Sequence, residues 1–144
     1  MTVATILAEK GREVAVTAPS ETLRGAANQL AERKIGALVV VEDDNRIVGI
    51  ISERDIVRAI AEQGADALQT PVEATMTREV VTCVDEETIN DVMARMSQRR
   101  FRHLPVANMR GRLDGIISIG DVVKRRIMQV ELEAEELRSY ISSA

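Results

Sequence analysis

Two short stretches carry side chains able to handle a sugar and an anion. Gly49-Ile50-Ile51-Ser52-Glu53-Arg54-Asp55 returns 66 residues later (115 − 49) as Gly115-Ile116-Ile117-Ser118-Ile119-Gly120-Asp121. A hydroxyl and a carboxylate three residues apart at the start of a helix have two uses. They can cap that helix by satisfying amide groups of its first turn, which stabilises by roughly 1 kcal/mol. They can also meet a nucleoside: glycine permits close backbone approach, hydroxyl and helix amides face an anion, and a carboxylate accepts from two ribose hydroxyls. Capping requires neither the glycine nor a second copy of the whole pattern, so the recurrence favours a site.

A basic run, Gln98-Arg99-Arg100-Phe101-Arg102-His103, precedes the apolar stretch Leu104-Pro105-Val106, and its counterpart in the first copy is Glu32-Arg33-Lys34-Ile35-Gly36-Ala37. Charge runs are commonly solvated faces, but this one lies on an acidic chain near the edge where the Ser/Asp turns should arrive. Arginine chelates phosphate oxygens in a fork that lysine cannot supply, so the second copy is expected to hold phosphate better. A thiolate–imidazole pair from Cys83 and His103 is the one nucleophile the residue types allow. Thr17 and Ala37 stand at those places in the first copy, and no third orienting group is apparent. With one Cys and one His, no metal-ligand spacing exists either.

The offset extends without a gap from Val14–Arg58 onto Val80–Lys124, matching Glu21-Thr22 with Glu87-Thr88, Arg33 with Arg99, Leu38 with Leu104 and Arg46 with Arg112. Val3–Leu7 falls on Val72–Met76 at an offset of 69 (72 − 3), which places a small insertion near Lys10–Arg12. The chain is a tandem repeat, and its sites are set by that symmetry. Each unit reads as strand, helix, strand, strand, helix: Val14–Thr17, a helix carrying Leu23, Ala27 and Leu30, then the hairpin of Leu38–Val41 and Arg46–Ser52, then Asp55–Ala61. The second unit has Val80–Val84 as strand, a helix burying Ile89, Met93 and Met96, a hairpin of Leu104–Asn108 and Leu113–Ser118, and a closing helix. That last helix continues, with Val123, Ile127, Val130, Ala134, Leu137 and Ile141 at alternating steps of four and three. This seam either folds back over its own domain or packs on a second subunit. The expected organisation is repeat 1 over 1–62, a linker over 63–71, repeat 2 over 72–128 and a helical extension over 129–144.

A unit of about 60 residues is marginal alone, so the copies are expected to share a core. Net charge is −4, Phe101 and Tyr140 are the only aromatics, and there is no Trp. Such a chain lacks the basic field and the stacking surface of a nucleic-acid binder. No 18-residue apolar stretch reads as a membrane span and no leader as a signal peptide, so a soluble cytoplasmic protein is expected.

Two such units, each closing on Gly-x-x-Ser-x-x-Asp, with His103-Leu104-Pro105-Val106 opening the second hairpin, resemble a pair of CBS domains over about Val3 to Met128. The resemblance implies an α/β (α+β) fold: two β-α-β-β-α repeats packed by their sheets about a pseudo-twofold axis, with two clefts between them and here a long C-terminal helix. Such Bateman modules bind adenosine-containing ligands such as AMP, ADP, ATP, NAD(H) or S-adenosylmethionine, need no metal, and pair into disc-like homodimers. The chain is similar to the stand-alone bacterial members, regulatory proteins without catalysis that act on a protein target, here unidentified. Carried over by position, Asp55 and Asp121 would hold ribose hydroxyls, Ser52 and Ser118 would contact ribose or phosphate, and Arg54 lies in the first corner. Adenine would lie against the openings of the strands, around Val14–Val16 (with Val16) and Thr77–Val81 (with Thr77 and Val81), and against Ala37 and Val39 or His103 and Pro105. Arg100, Arg102, His103 and, in the first copy, Lys34 would meet phosphate. Val39 for Pro105 and Gly36-Ala37 for Arg102-His103 make the two clefts unequal. The rival expectation is a structural or interaction protein with empty clefts, acting through its dimer surface and C-terminal helix.

Overall fold

The computed structural model describes residues 1–143; Ala144, the last residue of the expected extension, lies outside them. The order of elements is α1 (Val3–Lys10), β1 (Val16–Thr17), α2 (Leu23–Arg33), β2 (Ala37–Glu42), β3 (Arg46–Ser52), α3 (Glu53–Gln63), α4 (Ile89–Arg99), β4 (His103–Ala107), β5 (Leu113–Ser118) and α5 (Ile119–Ser143), with short 3-10 turns at Asp43–Asn45, Gly64–Gln69 and Val72–Ala74. One sheet has the order β1-β2-β3 and the other pairs β4 with β5.

Local chemistry repeats with the sequence. Thr22 and Thr88 cap α2 and α4, each hydroxyl accepting from an amide three residues on at 3.1 Å. Both helices end on a non-glycine residue in the left-handed region, Lys34 at φ 54° and Arg100 at φ 57°. A basic side chain there also complements the carbonyl end of its helix. Arg46 and Arg112, counterparts at the 66-residue offset, bridge each other directly. A residue paired with its own counterpart must lie beside the pseudo-twofold axis.

The cores do not follow chain order. Val3, Ile6 and Leu7 of α1 are buried with Ile89, Met96, Leu104 and Ile117 of the second repeat, whereas Val72 and Met76 join Leu23, Leu38 and Ile51 of the first. Matched hydrogen bonds fix the exchange: the Val3 amide donates to the Glu87 carbonyl at 3.0 Å and the Val72 amide to the Glu21 carbonyl at 2.7 Å. Burying side chains of this size contributes about 1.5–3 kcal/mol each, so each leader is held by the opposite half.

One expectation needs correction, and one open alternative is removed. Val80–Val84 does not form a strand; only Cys83 pairs, with Val106. In the first copy the Val39 amide donates to the Ala15 carbonyl at 3.2 Å. Its counterpart Pro105 has no N–H, so the matching bond to Val81 cannot form. Nor does the terminal helix fold back: from Val123 to Ile141 its seam side chains, Ala134 apart, are 41–65% exposed.

Candidate functional site

The closing strand of each hairpin delivers its serine to the first turn of the following helix, so both corners are capping boxes. The Ser52 amide and hydroxyl donate to Asp55 Oδ2 at 2.9 and 3.1 Å, and the Asp55 amide donates back to Ser52 Oγ at 3.3 Å. At the second corner the Ser118 amide donates to Asp121 Oδ2 at 2.9 Å and the Asp121 amide to Ser118 Oγ at 3.1 Å. The cap engages one carboxylate oxygen of Asp55. Oδ1 has only the distant Arg58 guanidinium, 3.9 Å away.

The glycine of each motif serves packing rather than approach by a ligand. A Cβ on Gly49 would sit 2.5 Å from Met76 Sδ and 3.1 Å from the Thr77 carbonyl, and one on Gly115 would sit 2.9 Å from Leu7 Cδ1. The exchanged leaders run over these glycines. At the first corner the leader then pairs with the strand, Ile50 and Thr77 exchanging backbone bonds of 3.0 and 2.9 Å. Past Thr77 the Val80 amide turns back to the Arg78 carbonyl at 3.0 Å, and Val81, which makes no backbone hydrogen bond, lines with Val80 a cavity of about 300 Å³.

Ala37, Ser52, Arg54, Asp55, Thr77, Val81, Arg100, Arg102, His103 and Pro105 all line that cavity, which both repeats build. Glu79 and Val80, within the Thr77–Val81 stretch, line it too, and Gly36, Ile50, Glu53, Arg58 and Phe101, which sequence reasoning did not single out, complete its wall. Glu53 and Arg58 flank Asp55 on one helix turn, which was the signal available for them. Four guanidiniums face three carboxylates there, and Arg54, Arg100 and Arg102 have no carboxylate partner among the described residues. The wall therefore offers an anion forked donors on one side and a sugar a free carboxylate oxygen on the other. His103 leans over Gly36 beside Glu53. Burial, then Lys10, hold its imidazole below the usual range against the opposing pull of Asp121 and Glu53.

The remaining candidates lie elsewhere. Val39 is fully buried and paired with Val16. Lys34 lies in a shallow groove beside α2. Ser118 and Asp121 face a cleft that the chain itself fills: Lys10 Nζ donates to Asp121 Oδ2 at 2.7 Å and to the Ile116 carbonyl at 3.0 Å. Arg12 binds Asp85 and Asp114, each through a contact of 2.9 Å. Burial alone would raise the Asp121 carboxyl, but the Lys10 ammonium and the Ser118 amide and hydroxyl hold it below its usual value. Cys83 is buried, its thiol pushed up to about 12 by desolvation and then by Glu87, which leaves no thiolate for nucleophilic attack. Among the described residues no helix is long and apolar enough to cross a membrane, and no cluster of three or more His, Cys, Asp or Glu could hold a metal.

Comparison with known proteins converges on one family. The CBS domain family matches residues 10–62 and again 72–127. The crystal structure of the CBS-domain containing protein ATU1752 from Agrobacterium tumefaciens is 47% identical, superposes with a TM-score of 0.83, and covers 88% of this chain and 99% of that one. The CBS domain protein PAE2072 from Pyrobaculum aerophilum, solved complexed with AMP, is 28% identical with a TM-score of 0.78 over 93% of this chain and 99% of that one. The CBS domain pair of protein MJ0100, solved with 5-methylthioadenosine and S-adenosyl-L-methionine, is 29% identical with a TM-score of 0.74 over 86% and 98% of the two chains. With both repeats matched and the exchanged architecture in place, the chain belongs to the CBS-domain family, as a tandem pair.

Proposed function

We propose that this protein is a regulatory module that binds one adenine nucleotide per chain at the first corner, has no catalytic activity of its own, and responds by changing its homodimer packing or its surface toward a protein target. The carrying observation is the cavity itself: Asp55 with one oxygen outside the cap, the unpaired backbone of Val81 and three arginines without a carboxylate partner all line it. Ribose hydroxyls would donate to Asp55, the base edge would bond the backbone that Pro105 leaves open, and phosphates would meet Arg100 and Arg102. AMP, ADP, ATP and NAD(H) share that chemistry, and the guanidiniums favour a phosphorylated ligand over uncharged methylthioadenosine or cationic S-adenosylmethionine. The complexes of PAE2072 and the MJ0100 pair support the class of ligand. A ligand can drive the response only through unequal affinity for two states of the module.

Calorimetric titration with AMP, ADP, ATP and NADH tests this reading. Saturable heat at one equivalent per chain is expected from at least one of them, and no heat from any would remove it. The exposed seam of α5 keeps the second reading in view, a ligand-free interaction protein, which predicts that Asp55→Ala costs no more than a helix cap.

A further inference from the structure

The long helix α5 leaves its apolar seam unoccupied. Val123, Val130 and Leu137 fall at one heptad position and Ile127, Ala134 and Ile141 at the other, and no element of the chain covers them, Ala134 alone being half-buried. Body contacts use a different side of the helix, where Val122 is buried and Arg125 pairs with Glu9 of α1. We propose that this seam docks the same helix of a second copy, side by side and in parallel, as a two-stranded coiled coil that fixes the direction of the dimer.

Three observations choose that occupant and that direction. The first is residue shape: Ile127 and Ile141 at a with Leu137 at d match parallel two-stranded pairing, while Ala134 at a and Val123 and Val130 at d add nothing to that choice. The second is charge. In the parallel alignment the g position of one helix meets the e position five residues on in its mate, which sets Arg126 against the partner's Glu131 and Glu133 against the partner's Arg138. Both pairs are of opposite sign. In the antiparallel alignment of equal overlap, Glu131 would meet the partner's Glu131, Glu133 the partner's Glu133, and Lys124 the partner's Arg138. All three are repulsive.

The third observation is length. The pseudo-twofold makes α3 the counterpart of the start of α5, and Val57 of α3 is exposed like its counterpart Val123, at 65% against 41%. An antiparallel dimer would lay α5 on the partner's α3. That helix ends at Gln63, whose counterpart is Gln129, whereas α5 continues to Ser143. About four helical turns, carrying Val130, Leu137 and Ile141, would then hang in water. Only α5 against α5 covers the seam along its length.

The inference concerns direction of assembly and stands whether or not a nucleotide binds. Leu137→Cys in the full chain tests it under mild oxidation, since Cys83 is buried and does not compete. A covalent dimer in high yield is expected, because d positions face each other only in the parallel alignment. A dimer by sedimentation that does not cross-link would overturn the proposed direction while leaving the homodimer standing, and a monomer would overturn both. Glu133→Arg is expected to weaken the dimer about tenfold and Glu133→Arg with Arg138→Glu to restore it; a double variant no better than the single one also overturns the pairing.

Discussion

The two Ser/Asp corners began as one design and now differ by what the exchanged leader does beside them. At the first corner the leader pairs with Ile50 through Thr77 and then swings away, leaving Asp55 with a free oxygen over an open cavity. At the second, α1 runs one turn further, and Lys10 reaches the equivalent aspartate and the carbonyl of Ile116, the counterpart of Ile50. The chain carries its own cation where a ligand would need a free carboxylate. Duplication supplies two matching corners, and a few residues inserted in one leader are enough to bring a cation onto the aspartate of one of them.

The comparison breaks most sharply on the aspartates. Asp55→Ala removes hydrogen bonds from ribose to a charged acceptor, worth about 1.5–3 kcal/mol. Calorimetry should show roughly 10- to 100-fold weaker nucleotide binding. Asp121→Ala should leave affinity within about twofold, and equal losses in the two variants would mean that the corners are equivalent after all. The motif glycines come next. Gly49→Ala pushes a Cβ into Met76 and the Thr77 carbonyl, and Gly115→Ala pushes one into the Leu7 side chain; each should lower stability by about 1–3 kcal/mol in chemical denaturation. Only Gly49→Ala should also weaken nucleotide binding, because the displaced Thr77 lines the cavity.

Pro105→Val tests why the second repeat's first strand is open. The restored amide should bond the Val81 carbonyl, reproduce the closed ladder of the first repeat and reduce nucleotide affinity about tenfold without loss of stability. Lys10→Met has the smallest effect. Its ion pair with Asp121 is about a third exposed, so the variant should lose only about 0.2–1 kcal/mol at neutral pH. Because the folded Asp121 carboxyl lies below its ordinary value of 3.8, this contribution is full above about pH 3.8 and disappears as pH falls through the lower folded value. The variant and the native protein should therefore converge in stability as the pH falls below the lowered folded value of Asp121.

Much of this was legible in the residues. The 66-residue recurrence carried the tandem fold, the paired caps and the position of the hairpins, because capping and strand pairing are local and each copy vouches for the other. Closure of the second cleft left a trace, the change of offset near Lys10–Arg12, but an insertion does not say which carboxylate its cations will find. The glycines misled, since a missing Cβ reads the same whether a ligand or Met76 fills the space. The lost strand at Val80–Val84 was written in Pro105, yet only the pairing of Val39 with Ala15 in the other repeat tells which bond proline forfeits. The seam of α5 was plain; its exposure depends on where the helix leaves the body.

The crossed leaders have a consequence for how the molecule comes apart. Each half keeps three or so of its core side chains on a thread that belongs to the other, so neither can be severed in the 63–71 segment and remain a folded piece. Heating should give a single transition, and a nucleotide gripped mainly by one corner would raise the melting point of the whole knot.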